Sequence, residues 1–144
     1  MKIAIGSDHV GVECKEKIKI SLICKGYEVI DFGTLSHEKV DYPDFIHPTA
    51  EAVERGDVQM GIILCGSGNG AAMTANKYQN IRAALAWDKE QALLARQHND
   101  ANIISIPIRF VSEKTALEMV DIFLNTKFEG GRHQSRVEKI PIKY

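Results

Sequence analysis

The stretch Met60-Gly61-Ile62-Ile63-Leu64-Cys65-Gly66-Ser67-Gly68-Asn69-Gly70-Ala71 decides the fold. Its first half is continuously apolar, as a strand covered on both faces must be. Its second half is a tight glycine loop that gives way to a helical stretch over residues 71–77. A strand running through such a loop into a helix is half of a βαβ unit.

Working outward, the same alternation recurs five times. Strands are expected at residues 2–6, 27–32, 60–64, 82–87 and 102–106. Between them, residues 12–25 carry Cys14, Ile18 and Leu22 at a helical step of four. Pro43 suits the first turn of a helix running to Arg55. Asp88-Lys89-Glu90-Gln91 reads as a capping box for a helix to His98. Ser112 caps a helix over 113–125, and a short charged helix is expected over 132–139. The loops are short and no repeat interrupts them. The pattern predicts an α/β fold in three layers, a five-stranded parallel sheet flanked by helices, as a single domain spanning 1–144.

The composition agrees. In 144 residues, 44% are hydrophobic and 26% charged, with a formal net charge of -1. That balance excludes a disordered chain and argues against a basic nucleic-acid or membrane surface, so neither partner is expected. No apolar run is long enough to span a bilayer, and the first residues carry no leader-like segment. Three cysteines without a CxxC pair predict free thiols and a cytoplasmic setting.

In parallel α/β sheets, ligands sit beyond the carboxyl ends of the strands. That rule selects Asp8-His9, the loop Cys65 to Gly70, Trp87-Asp88 and Pro107 to Arg109. The loop, with Gly66, Ser67, Gly68, Asn69 and Gly70, offers backbone N–H groups to a phosphate or to an oxyanion formed in reaction. No Gly-Lys-Ser/Thr follows, so it is not a Walker loop. It also fits a G-x-G-x-x-A dinucleotide fingerprint, but two strand–helix units precede it, where that fingerprint opens its unit. Cys65 reads either as a small core residue or as a thiolate favoured by the helix start, able to act as nucleophile or base. Asp8 reads as a helix cap or a hydroxyl ligand, and His98 as a helix-end decoration or an acid–base group. Arg132 and Arg136, four apart, would share a helix face and clamp a phosphate, or else form a solvated end. No HxxxH, cysteine pair or acidic triad has metal-ligand spacing, and there is no GxSxG elbow.

Taken together, Gly6-x-Asp8-His9, Gly33-Thr34, Asp41-Tyr42-Pro43, Cys65 to Gly70, Ala75-Asn76-Lys77, Arg82-x-Ala84, Ala95 to Asn99 and Glu129-Gly130-Gly131-Arg132-His133-Gln134-x-Arg136 resemble the B-type ribose-5-phosphate isomerases, within a family that also holds galactose-6-phosphate isomerase subunits. The resemblance spans almost the whole chain. It implies a Rossmann-like sheet, a homodimer with shared active sites, and a metal- and cofactor-free aldose–ketose isomerase acting on phosphorylated sugars. It implies Cys65 as the base moving a proton between C1 and C2 through a cis-enediol, and His98 as the ring-opening group. Ser67 and the loop N–H groups would stabilise the enediolate. Asp8 and Asn99 would hold sugar oxygens, and His9, Arg109, Arg132 and Arg136 the phosphate. Where one branch of the family places its glutamate base after the loop, Ala71 stands here, leaving Cys65 as the base. Six-carbon sugar phosphates, a non-catalytic sugar-phosphate regulator and a flavodoxin-like nucleotide binder are the competing readings.

Overall fold

A computed structural model describes all 144 residues. Five parallel strands form one sheet: β1 (Lys2–Ser7), β2 (Glu28–Asp31), β3 (Met60–Cys65), β4 (Ala83–Leu85) and β5 (Ile103–Pro107), in spatial order β2-β1-β3-β5-β4. The helices are α1 (Val12–Cys24), α2 (Pro43–Glu54), α3 (Asn69–Ala75), α4 (Lys89–Asn99), α5 (Glu113–Asn125) and α6 (Gln134–Glu138). None is long and apolar enough to cross a membrane.

Alternation along the strands sorts the core into two layers. Ile5, Ile62, Leu64, Ile104 and Ile106 pack with Ile18 and Leu22 of α1 and Met119 and Phe123 of α5. The intervening Ala4, Ile63, Cys65 and Ile103 pack with Ile46, Ala50 and Val53 of α2 and Ala71 and Ala75 of α3. The expected three layers are therefore present, with α1, α4 and α5 on one face and α2 and α3 on the other. Both sheet edges are guarded. The Asn76 side chain bonds both the N–H and the carbonyl of Ala83, at 2.8 and 2.9 Å, on the short edge strand β4. On the other edge, buried Lys15 meets both carboxylate oxygens of Asp31 at 2.7 Å.

The strand order fixes where a ligand can sit. β1 and β3 are neighbours, but β1 leads outward to β2 while β3 leads the other way to β4. A crevice opens between the carboxyl ends of two strands whose connections diverge in this way. Asp8 and the glycine loop are the residues that follow those two strands.

Three elements differ from their sequence reading. The edge strand β4 is Ala83–Leu85, three residues against the expected 82–87. Helix α3 starts at Asn69, two residues early, because Gly68 turns the chain with φ +75°. The expected terminal helix begins as a 3₁₀ turn, Gly131–His133, before α6, so Arg132 and Arg136 lie in successive short elements.

Candidate active site

A cleft of about 340 Å³ opens at that crevice, lined by Asp8, His9, Val10, Tyr42, Cys65, Gly66, Ser67, Gly70 and Arg109. Asp8 caps the 3₁₀ turn His9–Gly11. Its Oδ1 accepts the N–H groups of Val10 and Gly11 at 3.0 and 3.2 Å, leaving Oδ2 without a protein partner. Both readings of Asp8 are thus compatible: one oxygen builds the turn and the other is available to a ligand. His9 Nδ1 accepts the Val40 N–H at 3.2 Å. That bond puts the neutral ring's proton on Nε2.

Cys65 ends β3 in register with Pro107 and is buried against the α2–α3 layer. The ladder continues past the strands, with Ile108 N–H to Cys65 O and Arg109 N–H to Gly66 O, both at 3.1 Å. It lays the Arg109 side chain over Gly66, where an added Cβ would lie 3.1 Å from Arg109 Nε. Gly68 is pinned by the Ser105 hydroxyl, which donates to its carbonyl at 2.7 Å. A Cβ at Gly70 would overlap the Tyr42 ring. The first helical bond of α3 is Ala72 N–H to Gly68 O at 3.1 Å, so the N–H groups of Gly70 and Ala71 precede any turn that could take them. Close backbone approach, N–H groups without helical acceptors, a buried thiol and an arginine thus share one small cavity.

The remaining expected residues lie elsewhere. Helix α4 starts beyond β4 at the carboxyl edge and runs back, so His98 and Asn99, its last two residues, reach the opposite edge of the sheet. Eleven residues of helix cover roughly 16 Å. Around His98 the segment after α5 folds back. Glu129 Oε1 lies 3.5 Å from His98 Nε2, and the His133 ring stacks on His98 with centroids 4.3 Å apart. Arg132 and Arg136 are exposed in this segment and form no ion pair within the chain. The residues expected in the site therefore fall in two groups on opposite edges of one sheet.

The Ribose/Galactose Isomerase family profile matches residues 3–140. The chain belongs to this family. It is 46% identical over 139 residues to "Ribose-5-phosphate isomerase B" of Escherichia coli K12, covering 96% of this chain and 93% of that protein. Among solved structures, the ribose-5-phosphate isomerase B of Clostridium thermocellum superimposes with a TM-score of 0.95 at 50% identity, over 97% of this chain and 95% of that one. The Mycoplasma genitalium ribose-5-phosphate isomerase B, with bound ribulose-5-phosphate, gives 0.94 at 41% identity, over 96% and 93%. The α/β fold read from the sequence is the family's fold.

Within this family member, the carboxyl edge gathers Asp8, His9, Cys65, Ser67, the loop glycines and Arg109. Ser67 and Asn69 also face a second depression with Leu85, Trp87, Pro107 and Phe110. The amino edge carries His98, Asn99, Arg132 and Arg136. Three residues beside these groups were not singled out from the sequence. Tyr42 lines the cleft; its only sequence signal was its place before Pro43 in a quoted motif. Glu129 and His133 flank His98 from some thirty positions away, a spacing no local motif reports. The ligating atoms of His98, Glu129 and His133 lie within 4.8 Å of one another, a grouping that spacing alone did not reveal. Their two rings are only 14° from parallel. An ion must lie in the plane of each imidazole that binds it, so one ring would have to turn before both could share a metal.

Proposed function

We propose that the protein interconverts ribose 5-phosphate and ribulose 5-phosphate by metal-independent proton transfer, as a homodimer whose active sites draw on both subunits. The observation that carries the reading is the carboxyl-edge cleft, which groups Asp8, His9, Cys65, Ser67 and Arg109 about the glycine loop. Family membership, and the ribulose-5-phosphate bound by the Mycoplasma relative, support the substrate.

The chemistry follows from the residue types. In the open-chain aldose, the Cys65 thiolate removes the proton on C2. The electron pair forms the C1–C2 double bond, and negative charge moves onto O1. The loop N–H groups and the Ser67 hydroxyl donate to that oxygen as the charge develops, lowering the barrier where a weak base alone would fail. The O2 proton passes to O1, the thiol returns its proton to C1, the C2 carbonyl forms and the thiolate is regenerated with the ketose. His9 and Arg109 hold the phosphate, so binding energy far from the reacting carbons orients them. Asp8 accepts a sugar hydroxyl on its open oxygen.

Ribose 5-phosphate is mostly a closed ring and cannot enolise until it opens. A histidine suits that proton transfer near neutral pH. Cys65 and His98 of one chain lie at opposite edges of the sheet, so His98, Asn99, Arg132 and Arg136 serve the cleft of a partner subunit. The cytoplasm, where the three thiols stay reduced, is the setting this reading expects.

The test is ribulose 5-phosphate formation from ribose 5-phosphate in EDTA, with Cys65→Ala alongside. Turnover by the parent and near-complete loss in the variant is the expected result. A folded parent with no turnover overturns the substrate assignment, and a fully active Cys65→Ala overturns the base.

A further inference from the structure

We propose that Glu129 is a positioning residue that holds the His98 imidazole for ring opening; this rests on the isomerase reading above. Three observations converge on it. The segment carrying Glu129 is tied to α4 by hydrogen bonds that do not involve the Glu129 side chain. Arg96 Nε donates to Thr126 O at 3.1 Å, and Glu129 N–H donates to Gln97 O at 3.0 Å, one residue before His98. With the backbone so fixed, the Glu129 carboxylate reaches His98 Nε2 at 3.5 Å.

The face of the ring is held as well as its edge. Gly130 and Gly131 have φ of +68° and +52°, a turn that side chains resist. That turn, closed by His133 N–H to Gly130 O at 3.0 Å, brings the His133 ring over His98 at 4.3 Å and 14°. Arg132 and Arg136 act on His133 from the same segment, so Glu129 is the negative group among positive ones here.

A carboxylate 3.5 Å from Nε2 favours the tautomer with its proton there, and in the proposed assembly Nδ1 is then the nitrogen that meets the sugar. The step then balances on one ring. Nδ1 takes the proton from the anomeric hydroxyl as the C1–O4 bond breaks. The bonding pair goes to O4, the C1 carbonyl forms, and the imidazolium passes its proton to O4. Glu129 stabilises the imidazolium while it exists, as an oriented carboxylate does for a histidine base.

The decisive comparison uses a substrate that skips this step. Erythrose 4-phosphate carries its phosphate on O4, cannot close a furanose ring, and needs only the proton transfer at C1 and C2. Glu129→Gln should lower kcat on ribose 5-phosphate about ten- to a hundred-fold, by analogy with loss of the carboxylate that orients a metal-binding histidine. Turnover of erythrose 4-phosphate should stay within about two-fold of the parent, and Glu129→Asp should recover part of the loss on the cyclic sugar. If the parent is too slow on erythrose 4-phosphate, uptake of solvent deuterium at C1 of ribulose 5-phosphate, also acyclic, is the second readout. Equal losses on cyclic and acyclic sugars, or no loss on either, overturn the proposal. A parent inactive on ribose 5-phosphate instead overturns the isomerase reading on which it stands.

Discussion

Two inactive variants should restore one another. Cys65 ends β3, whose last residue pairs with Pro107 at the end of β5. His98 lies near the start of β5, joined to it by Asp100 to Asn102. The five residues of β5 alone put about 13 Å between those two edges, and a pentose carbon skeleton is shorter than that. A Cys65→Ala chain therefore keeps a sound His98 edge, and a His98→Ala chain keeps a sound Cys65 edge. In the proposed twofold dimer, each site takes one edge from each chain. A hybrid of the two variants has one site with both groups and one with neither. Equal amounts, fully exchanged, give about half hybrids, each with one working site of two, so activity should recover to roughly a quarter of the parent's. The assay mixes differently tagged variants, measures hybrid content by native mass spectrometry, and follows ribulose 5-phosphate formation over the exchange time. Activity should track hybrid content. Hybrids formed without activity would refute the shared site and require both groups to act within one chain.

Three further outcomes follow from particular contacts. Gly68→Ala places a side chain at φ +75° and a Cβ 3.2 Å from the Pro107 backbone N, so it should cost about 1–3 kcal/mol in chemical denaturation and reduce kcat by displacing the loop. Burial pushes the Asp31 carboxyl up, but Lys15, the Gly33 N–H and Lys19 outweigh it and hold the group below its ordinary 3.8. With the folded value below the unfolded one, this contribution to stability is complete above the unfolded value and disappears as pH falls through the folded value; Lys15→Met should flatten that acid limb in urea titrations from pH 5 down to pH 2, taken in ~0.5-unit steps. Burial, with help from Glu113, pushes the Cys14 thiol up to about 11, so iodoacetamide at mildly alkaline pH should label exposed Cys24 quickly and Cys14 only on unfolding. Equal labelling of Cys14 and Cys24 in the folded protein would contradict that burial.

The elements were legible where local chemistry dictated them. Helix α5 runs from Glu113 to Asn125 as its Ser112 cap and apolar spacing required, and the Ser112 hydroxyl does accept the Thr115 N–H at 3.1 Å. Asp88 likewise accepts the Gln91 N–H at 2.8 Å. The start of α3 differs from its sequence reading because a glycine at positive φ can begin a turn anywhere in a glycine-rich run. The strand order was not legible, because parallel strands joined by helices carry no local mark of their neighbours. From that gap came the larger one. The sequence supplies Cys65 and His98 as candidates without saying that a strand and a helix carry them to opposite edges. Glu129 and His133 were visible as members of a motif but not as neighbours of His98, since only the fold-back after α5 brings them there.

The two edges also differ in how they are built, and the difference fits the work proposed for each. The carboxyl edge is rigid. Its loop is held by the β3–β5 ladder, by the Ser105 hydroxyl and by the packing of Tyr42 on Gly70. Enediolate stabilisation needs that rigidity, because donors help only when already aimed at where charge will appear. The amino edge is an exposed turn with two arginines that find no carboxylate in their own chain. Unpaired guanidinium groups beside stacked histidines give a local excess of positive charge in a chain whose net charge is -1. Such a surface favours an anion, and a phosphate in the cleft of a second subunit supplies one. On this reading substrate binding and subunit docking complete the same electrostatic arrangement. In the proposed assembly, Cys65, the loop donors, His9 and Arg109 are preorganised within one chain, while His98 and the second pair of arginines, Arg132 and Arg136, come from the other.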